Sequence, residues 1–233
     1  MCGRYTLTVT PEALRKLFGF DITPNLQPRF NIAPTQFAPV VRVGGRGGSS
    51  GGTARTLDLL RWGLVPSWSK DMSGAAKLIN ARGESVAEKP SFRAAFAERR
   101  CLVPVDGFYE WRTENGVKQP FRIGFRGGRP FAFAGLWESW TAPEGGEGAG
   151  GTVETFAIVT TDANPKIRPI HHRMPVIVDP AEYDAWLTGD TAAARAVIRP
   201  YPPDDMAFYR VSTRVNSVRN DDADCIAPLR AAS

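Results

Sequence analysis

Phe131-Ala132-Phe133-Ala134-Gly135-Leu136-Trp137 is followed, across the glycine-rich stretch Glu144 to Gly151, by Val153-Glu154-Thr155-Phe156-Ala157-Ile158-Val159-Thr160. Both flanking runs are short and rich in β-branched and aromatic residues, and turn-forming residues bound them. That pattern reads as two strands joined by a long hairpin loop. The same arrangement occurs earlier, where Gly44 to Gly52 separates Phe37–Val43 from Thr56–Trp62. Neither glycine stretch carries the G-x-x-x-x-G-K-[ST] phosphate-loop spacing. Strand patterns resume at once on either side, so both are read as loops within one domain rather than linkers.

Working outward, Cys101–Val105, Phe108–Arg112, Pro120–Phe125, Pro175–Val178 and Ala207–Val211 are further β-type runs. Four helix signals interrupt them. Thr10-Pro11-Glu12 supplies an N-cap, a first-turn proline and an early acid for a helix to Phe18 that stops at Gly19. Ser91 opens a short helix through Arg99, Asp179-Pro180 one that ends at Gly189, and Asp190-Thr191 one through Ile198. Many strands, few helices and no regular β-α alternation predict an α+β fold: one mixed, largely antiparallel β domain with peripheral helices. The domain is expected to span residues 1–233, with a flexible end after about residue 220. No internal repeat is visible.

The 233 residues suffice for a substantial core, and a hydrophobic fraction of 42% with 23% charged residues is globular in character. No run of 18 apolar residues and no basic-apolar leader is present, so the chain reads as soluble and cytoplasmic, away from membranes. Cys2, Cys101 and Cys225 form no C-x-x-C pair, and the two histidines are adjacent, which argues against a zinc site. Net charge is +5, and of 29 basic residues only six are lysine while 23 are arginine. Arginine's planar fork matches phosphate oxygens, so the balance points toward nucleic acid; a GC-rich genome gives the same composition.

Cys2 stands directly behind Met1, in Met1-Cys2-Gly3-Arg4. Trimming of Met1 would leave a cysteine with a free α-amine. Thiol and amine titrate near ~8.5 and ~7.7–8.0 in model peptides, so both are partly deprotonated at neutral pH. Such a residue can capture an aldehyde twice, first as a Schiff base and then by closing a thiazolidine ring. An internal cysteine cannot, because its nitrogen is an amide.

Three other segments concentrate unusual polar residues. Asn80 follows Leu78-Ile79 and is either a strand-ending turn residue or an amide that orients a carbonyl. Arg82 and Glu84 read as a solvated ion pair. Glu110, in Phe108-Tyr109-Glu110-Trp111, shares a strand face with Phe108 and Arg112; if buried, it is either salt-bridged or an acid–base group with a shifted pKa. His171 and His172 point to opposite sides of any extended segment, and both are candidates for proton transfer near neutral pH.

Taken together, these segments resemble the SOS response-associated peptidase (SRAP) family, proteins that shield abasic sites in single-stranded DNA. The resemblance rests on Cys2-Gly3-Arg4-Tyr5, Asn31-Ile32-Ala33-Pro34, Arg61-Trp62-Gly63-Leu64-Val65-Pro66, Leu78-Ile79-Asn80-Ala81-Arg82, Gly107-Phe108-Tyr109-Glu110-Trp111 and Ile170-His171-His172-Arg173-Met174-Pro175, in order along nearly the whole chain. It implies a basic DNA groove and a covalent thiazolidine crosslink through Cys2, with associated abasic-site lyase activity. Asn80 would hold the Cys2 end, Glu110 would act as acid–base group, and His171 would assist proton transfer at the sugar. Arg4 and Arg82 match positions that hold phosphates flanking the lesion, Arg173 is a further DNA-binding position, and Pro34 and Trp68 match groups at the base-stacking edge. The implied partner is single-stranded DNA with abasic sites, including single-strand/duplex junctions, bound by a monomer near the nucleoid without metal or organic cofactor.

Two departures stand out. One tryptophan, Trp68, stands where some relatives have two, and Gly83 replaces a bulkier residue, which is expected to loosen its loop. The peptidase in the family name has its basis here in removal of Met1, by the chain itself or by a host aminopeptidase. The competing readings are an N-terminal-nucleophile cysteine amidohydrolase, in which the amine serves as base for the thiol, and a non-covalent single-stranded-DNA-binding module.

Overall fold

The computed structural model describes residues 2–21, 25–44, 54–143 and 150–229. Among the described residues, thirteen strands fall into two sheets, with helices at the periphery. The larger sheet contains β3 (Phe37–Val43), β4 (Arg55–Trp62), β5 (Asn80–Arg82), β6 (Arg100–Val105), β9 (Phe131–Thr141), β10 (Thr152–Asp162), β11 (Arg173–Pro175) and β12 (Ile177–Val178). Five of these close a ring: β10 pairs with β4, β4 with β3, β3 with β6, β6 with β9, and β9 returns to β10. All of these pairings are antiparallel except β10–β4. Closure removes the free edges that an open sheet would expose.

The two sequence-predicted hairpins are the antiparallel pairs β3–β4 and β9–β10. Most of each glycine-rich stretch, residues 45–53 and 144–149, lies outside the described residues. Large side chains fill the core: the Tyr5 ring sits 5.2 Å from Trp62 and 6.3 Å from Phe133, and Trp62 stacks on Phe156 at 6.2 Å. The buried Trp62 indole still satisfies its N–H, which donates to the Ile79 carbonyl at 2.9 Å.

The second sheet is antiparallel, in the order β13 (Met206–Arg210), β8 (Val117–Phe125), β7 (Gly107–Glu114), β1 (Tyr5–Leu7) and β2 (Arg29–Ile32). β7 and β8 meet at Asn115-Gly116, whose φ angles of 49° and 80° make a two-residue turn with both central residues left-handed. That turn fixes the register that sets Glu110 opposite Phe121.

Asp106 joins the sheets, as the single residue between β6 and β7. Its buried carboxylate accepts from the Thr6 hydroxyl, from the Thr8 N–H, from Thr8 Oγ1 at 2.6 Å and from Arg122 Nη2 at 3.1 Å. A buried carboxylate with four donors is well compensated for loss of water. It pins β1 to the junction.

Helix α1 (Pro11–Phe18) matches its sequence signals: Thr10 Oγ1 accepts from the Ala13 N–H at 3.3 Å, and Gly19 ends the helix in the left-handed region at φ 69°. Asp179 and Asp190 likewise cap the segments ahead of α3 (Tyr183–Leu187) and at α4 (Thr191–Val197). Ser91 does not cap α2 (Arg93–Glu98). The Lys89 carbonyl already accepts from the Phe92 and Arg93 N–H groups, so a tight turn carries the chain into that helix.

The C-terminal segment is tied down well past residue 220. The Asp221 carboxylate accepts from the backbone N–H groups of Phe30 and Asn31, and the Leu229 N–H donates to the Arg210 carbonyl at 2.9 Å. Residues 221–229 are therefore hydrogen-bonded to the rest of the domain, and residues 230–233 lie outside the described residues. Among the described residues, no helix is long and apolar enough to cross a membrane.

Candidate functional site

β1 lies between β2 and β7, with Tyr5 opposite both Ile32 and Phe108. The Tyr109 N–H donates to the Arg4 carbonyl at 3.0 Å, extending this pairing toward the N-terminus. Cys2 is thereby drawn beside Glu110 and fully buried. Burial raises its thiol pKa well above the ordinary thiol range, and the neighbouring Glu110 charge adds to the effect, so the partly ionised thiol expected from the model-peptide value is replaced by a protonated one. The thiol contacts the Arg4 carbonyl at 3.7 Å.

Asn80 approaches from the other sheet, on β5, which pairs in parallel with β10 so that Asn80 stands against Ile158. Its Nδ2 donates to the Cys2 carbonyl at 2.8 Å. The sequence left Asn80 open between a local turn and an orienting amide, and its partner proves to be long-range. Its Oδ1 is buried with no hydrogen-bond partner among the described residues, one of several such buried polar atoms in the fold.

Glu110 is 2% exposed, and burial pushes its pKa up to about 7. Both protonation states are thus accessible near neutral pH, as an acid–base group requires. His171 is half-buried, and burial lowers its pKa, which favours neutral imidazole. Its Nδ1 lies 3.0 Å from the Arg173 N–H and 3.1 Å from the Arg173 carbonyl.

The two histidines do not point apart. Their rings stack with centroids 4.4 Å apart and planes inclined by 26°. The expectation of opposite faces assumed an extended backbone. Residues 165–170 instead form a turn organised by Asn164, whose Oδ1 accepts from the Lys166 and Ile167 N–H groups, and the His171 N–H donates back to the Ile167 carbonyl. Strand geometry begins only at Arg173.

Glu110 and His171 line a pocket of about 500 Å³ together with Arg4, Trp111, Lys118 and Asn216; Cys2 and Asn80 are not among its described lining residues and lie behind Glu110. Arg4 is committed to the protein: Nη1 donates to Asn31 Oδ1 at 3.0 Å and to the Val215 carbonyl at 2.6 Å, and Nη2 to the Asn216 carbonyl at 3.2 Å. Asn31, itself fully buried, donates from Nδ2 to the carbonyls of Val215, Ser217 and Asn220. The Trp111 indole N–H donates to Asn216 Oδ1 at 2.8 Å. The segment around Asn216 is therefore a clamped pocket wall.

Lys118 and Asn216 were not read from the sequence as site residues, and Trp111 was read only as part of a motif. The signal for Lys118 was available in Asn115-Gly116, whose turn folds β8 back along β7. Nothing local marks Asn216.

Of the remaining sequence candidates, Arg82 is exposed on β5, Pro34 is half-buried, and Trp68 is 66% exposed. None of the three is among the described residues lining the pocket. The expected Arg82–Glu84 pair does not form. Glu84 instead receives both Nη groups of Arg173, at 2.5 and 2.9 Å, and Arg173 also donates to Asp162 and to the Thr160 carbonyl. Arg173 is only 8% exposed, so its guanidinium braces β11 against β10.

Gly83 does not loosen its loop. It is buried, and a Cβ there would lie 2.3 Å from Ile198 Cγ2 and 3.2 Å from the Thr160 carbonyl, so the absent side chain permits close packing. Among the described residues, no group of three or more His, Cys, Asp or Glu is placed to hold a metal ion.

A closed β-barrel flanked by an antiparallel sheet, with an N-terminal Cys-Gly-Arg held against Asn80 and Glu110, defines a class. The model of the SOS response associated peptidase (SRAP) family matches residues 1–218, and the chain belongs to that family. It is 38% identical, over 97% of its length and 99% of the relative's, to "Abasic site processing protein YoqW" of Bacillus subtilis (strain 168). It is 35% identical to "Abasic site processing protein HMCES" of Gallus gallus, over 98% of this chain and 78% of that one. A crystal structure of a protein from Bacteroides thetaiotaomicron superposes with a TM-score of 0.82, covering 98% of this chain and all of the other at 24% identity, which establishes the shared fold.

Proposed function

We propose that this protein captures abasic sites in single-stranded DNA as a covalent adduct on Cys2. The observation that carries the proposal is the hydrogen bond from Asn80 Nδ2 to the Cys2 carbonyl, which ties the Cys2 backbone to β5 beside Glu110, a residue that lines the pocket with His171. The names of the bacterial and vertebrate relatives support abasic-site processing as the broader activity.

Removal of Met1 turns the Cys2 nitrogen into a primary amine. That amine adds to the C1′ aldehyde of the ring-opened deoxyribose, and loss of water gives the imine. The Cys2 Sγ then adds to C1′ as the thiol proton passes to the imine nitrogen, and a five-membered thiazolidine closes. The overall change is aldehyde plus aminothiol giving thiazolidine plus one water.

Glu110, with a pKa of about 7, takes the amine proton and returns one to the departing hydroxyl. Neutral His171 handles protons at the sugar oxygen during ring opening and reversal. The imine also acidifies C2′–H; loss of that proton expels the 3′ phosphate from C3′, which is the lyase side reaction. Ring closure by Sγ diverts the imine from strand cleavage. Arg82, Pro34 and the exposed Trp68 extend the binding path beyond the pocket, along which single-stranded bases stack. Arg173 serves this path indirectly, by fixing the strand that follows His171.

The test is incubation with a single-stranded oligonucleotide bearing one abasic site, followed by a denaturing gel. A retarded protein–DNA band that requires the abasic site is expected. Strand cleavage without any band, or no reaction, rejects covalent capture.

A further inference from the structure

We propose that Lys118 supplies the cation that binds the DNA phosphate next to the captured sugar, and that Arg4 is a positioning residue rather than the phosphate ligand of this pocket. The inference rests on the DNA reading above.

Arg4 and Lys118 are the two cationic side chains among the described residues lining the pocket. Both Nη groups of Arg4 are already bonded, and their acceptors are two main-chain carbonyls and the amide oxygen of buried Asn31. Three of its five N–H donors are thus held by the pocket wall, and a phosphate that pulled the fork away from Val215 and Asn216 would weaken that wall. Those carbonyls would lose a charge-assisted donor, and the exchange would return little net gain.

Lys118 is placed differently. It follows the β7–β8 turn on β8, opposite Thr113, and is exposed. Among the described residues, no carboxylate or carbonyl engages its ammonium, so three donors remain open to a ligand. Lys118 and His171 line the same pocket, and the lysine charge is felt at that ring.

Every deoxyribose in a strand carries phosphates at both its 3′ and 5′ oxygens. A sugar held between Glu110 and His171 therefore brings an anion into the same pocket of about 500 Å³. A point charge on a flexible stem suits a backbone phosphate whose position is not dictated by base identity.

The test is the salt dependence of reversible binding to an intact single-stranded oligonucleotide, read by fluorescence anisotropy between 50 and 200 mM salt, with thermal melting of each variant. Removing one phosphate contact makes the plot of log affinity against log salt shallower by about 0.7. Lys118→Gln is expected to weaken binding and show that change with an unaltered melting temperature; Lys118→Arg is expected to restore the slope. Lys16→Gln, on the exposed face of α1, controls for overall charge and is expected to leave the slope at the wild-type value. Arg4→Gln is expected to lower the melting temperature.

A wild-type slope in Lys118→Gln, or a slope loss in Arg4→Gln at unchanged melting temperature, overturns the assignment. If the slopes contradict it while the wild type still crosslinks an abasic oligonucleotide, this inference alone fails. If the wild type neither binds nor crosslinks, the DNA reading fails and takes this inference with it.

Discussion

The imidazoles of His171 and His172 lie face to face, 4.4 Å between centroids, so the exposed ring of His172 covers the half-buried ring of His171. A pair that shares a face is coupled, whereas opposed side chains would act independently. His171→Ala is therefore expected to slow reversal of the adduct and strand cleavage more than DNA binding. His172→Ala is expected to act in the same direction but less, by uncovering the His171 ring to solvent. Relaxation of its burial should raise the His171 pKa in that variant, measurable by NMR titration of the remaining imidazole. An unchanged titration would show that the stacking has no functional weight.

Glu110 gives a stability signature as well as a kinetic one. Burial raises its pKa from 4.5 to about 7. A carboxyl whose folded pKa is raised favours the folded state below its unfolded pKa, and that contribution is lost as pH rises through the folded pKa. At roughly 1.4 kcal/mol for each pH unit between the two values, the loss from pH 4 to pH 8 approaches about 3 kcal/mol. Glu110→Gln removes this titration. Denaturant unfolding should show the variant gaining on the wild type between pH 4 and pH 8, while it forms adduct more slowly with near-normal DNA affinity. A pH-independent difference in stability would contradict the assigned protonation.

The clamp at Asn31 predicts a structural phenotype with a functional edge. Its Nδ2 satisfies three carbonyls of the wall segment, and its Oδ1 accepts from Arg4. Asn31→Ala leaves these groups short of partners, at a cost of about 1–3 kcal/mol for each one that water does not reach. A lowered melting temperature and faster hydrogen exchange across residues 213–220 are expected. Normal protection of that segment would show that Asn31 is not its anchor.

Close packing at Gly83 makes a further prediction. A Cβ at this position collides with Ile198 Cγ2, so Gly83→Ala should destabilise by about 1–3 kcal/mol. Pairing it with Ile198→Ala removes the opposing atom, and the double variant should be more stable than the sum of the single effects implies. Simple additivity in the double-variant cycle would place the strain elsewhere.

Much of this architecture is legible in the sequence. The capped helix from Pro11 to Phe18, the hairpins flanking the two glycine-rich stretches, and the strand carrying Glu110 all follow from local turn chemistry and β-type runs. The short strands β1, β2 and β5 do not announce themselves. Each has three or four residues, and each exists because distant segments pair with it, as Tyr5 does with Phe108.

The same division holds for the site. Cys2, Asn80, Glu110 and His171 are chemically conspicuous. The commitment of Arg4 to Val215 and Asn216, the transfer of Glu84 from Arg82 to Arg173, and the buried role of Asn31 are long-range contacts that no local pattern encodes. The histidine pair misled for a related reason: alternation holds only within a strand, and residues 171 and 172 precede one.

The central claim is that the amine and thiol of Cys2 act together on one carbon. Intact-mass spectrometry of the protein after reaction with an abasic single-stranded oligonucleotide tests it most directly, on the wild type and two variants. The wild type should lack Met1 and carry the oligonucleotide on its N-terminal residue, at the combined mass less one water. Cys2→Ala keeps an amine without a thiol and should yield a stable adduct only after reduction of the imine. A variant with one alanine inserted between Met1 and Cys2 keeps the thiol but makes its nitrogen an amide, and should form no thiazolidine. A stable, full-yield adduct from the insertion variant without a reducing agent would contradict the account.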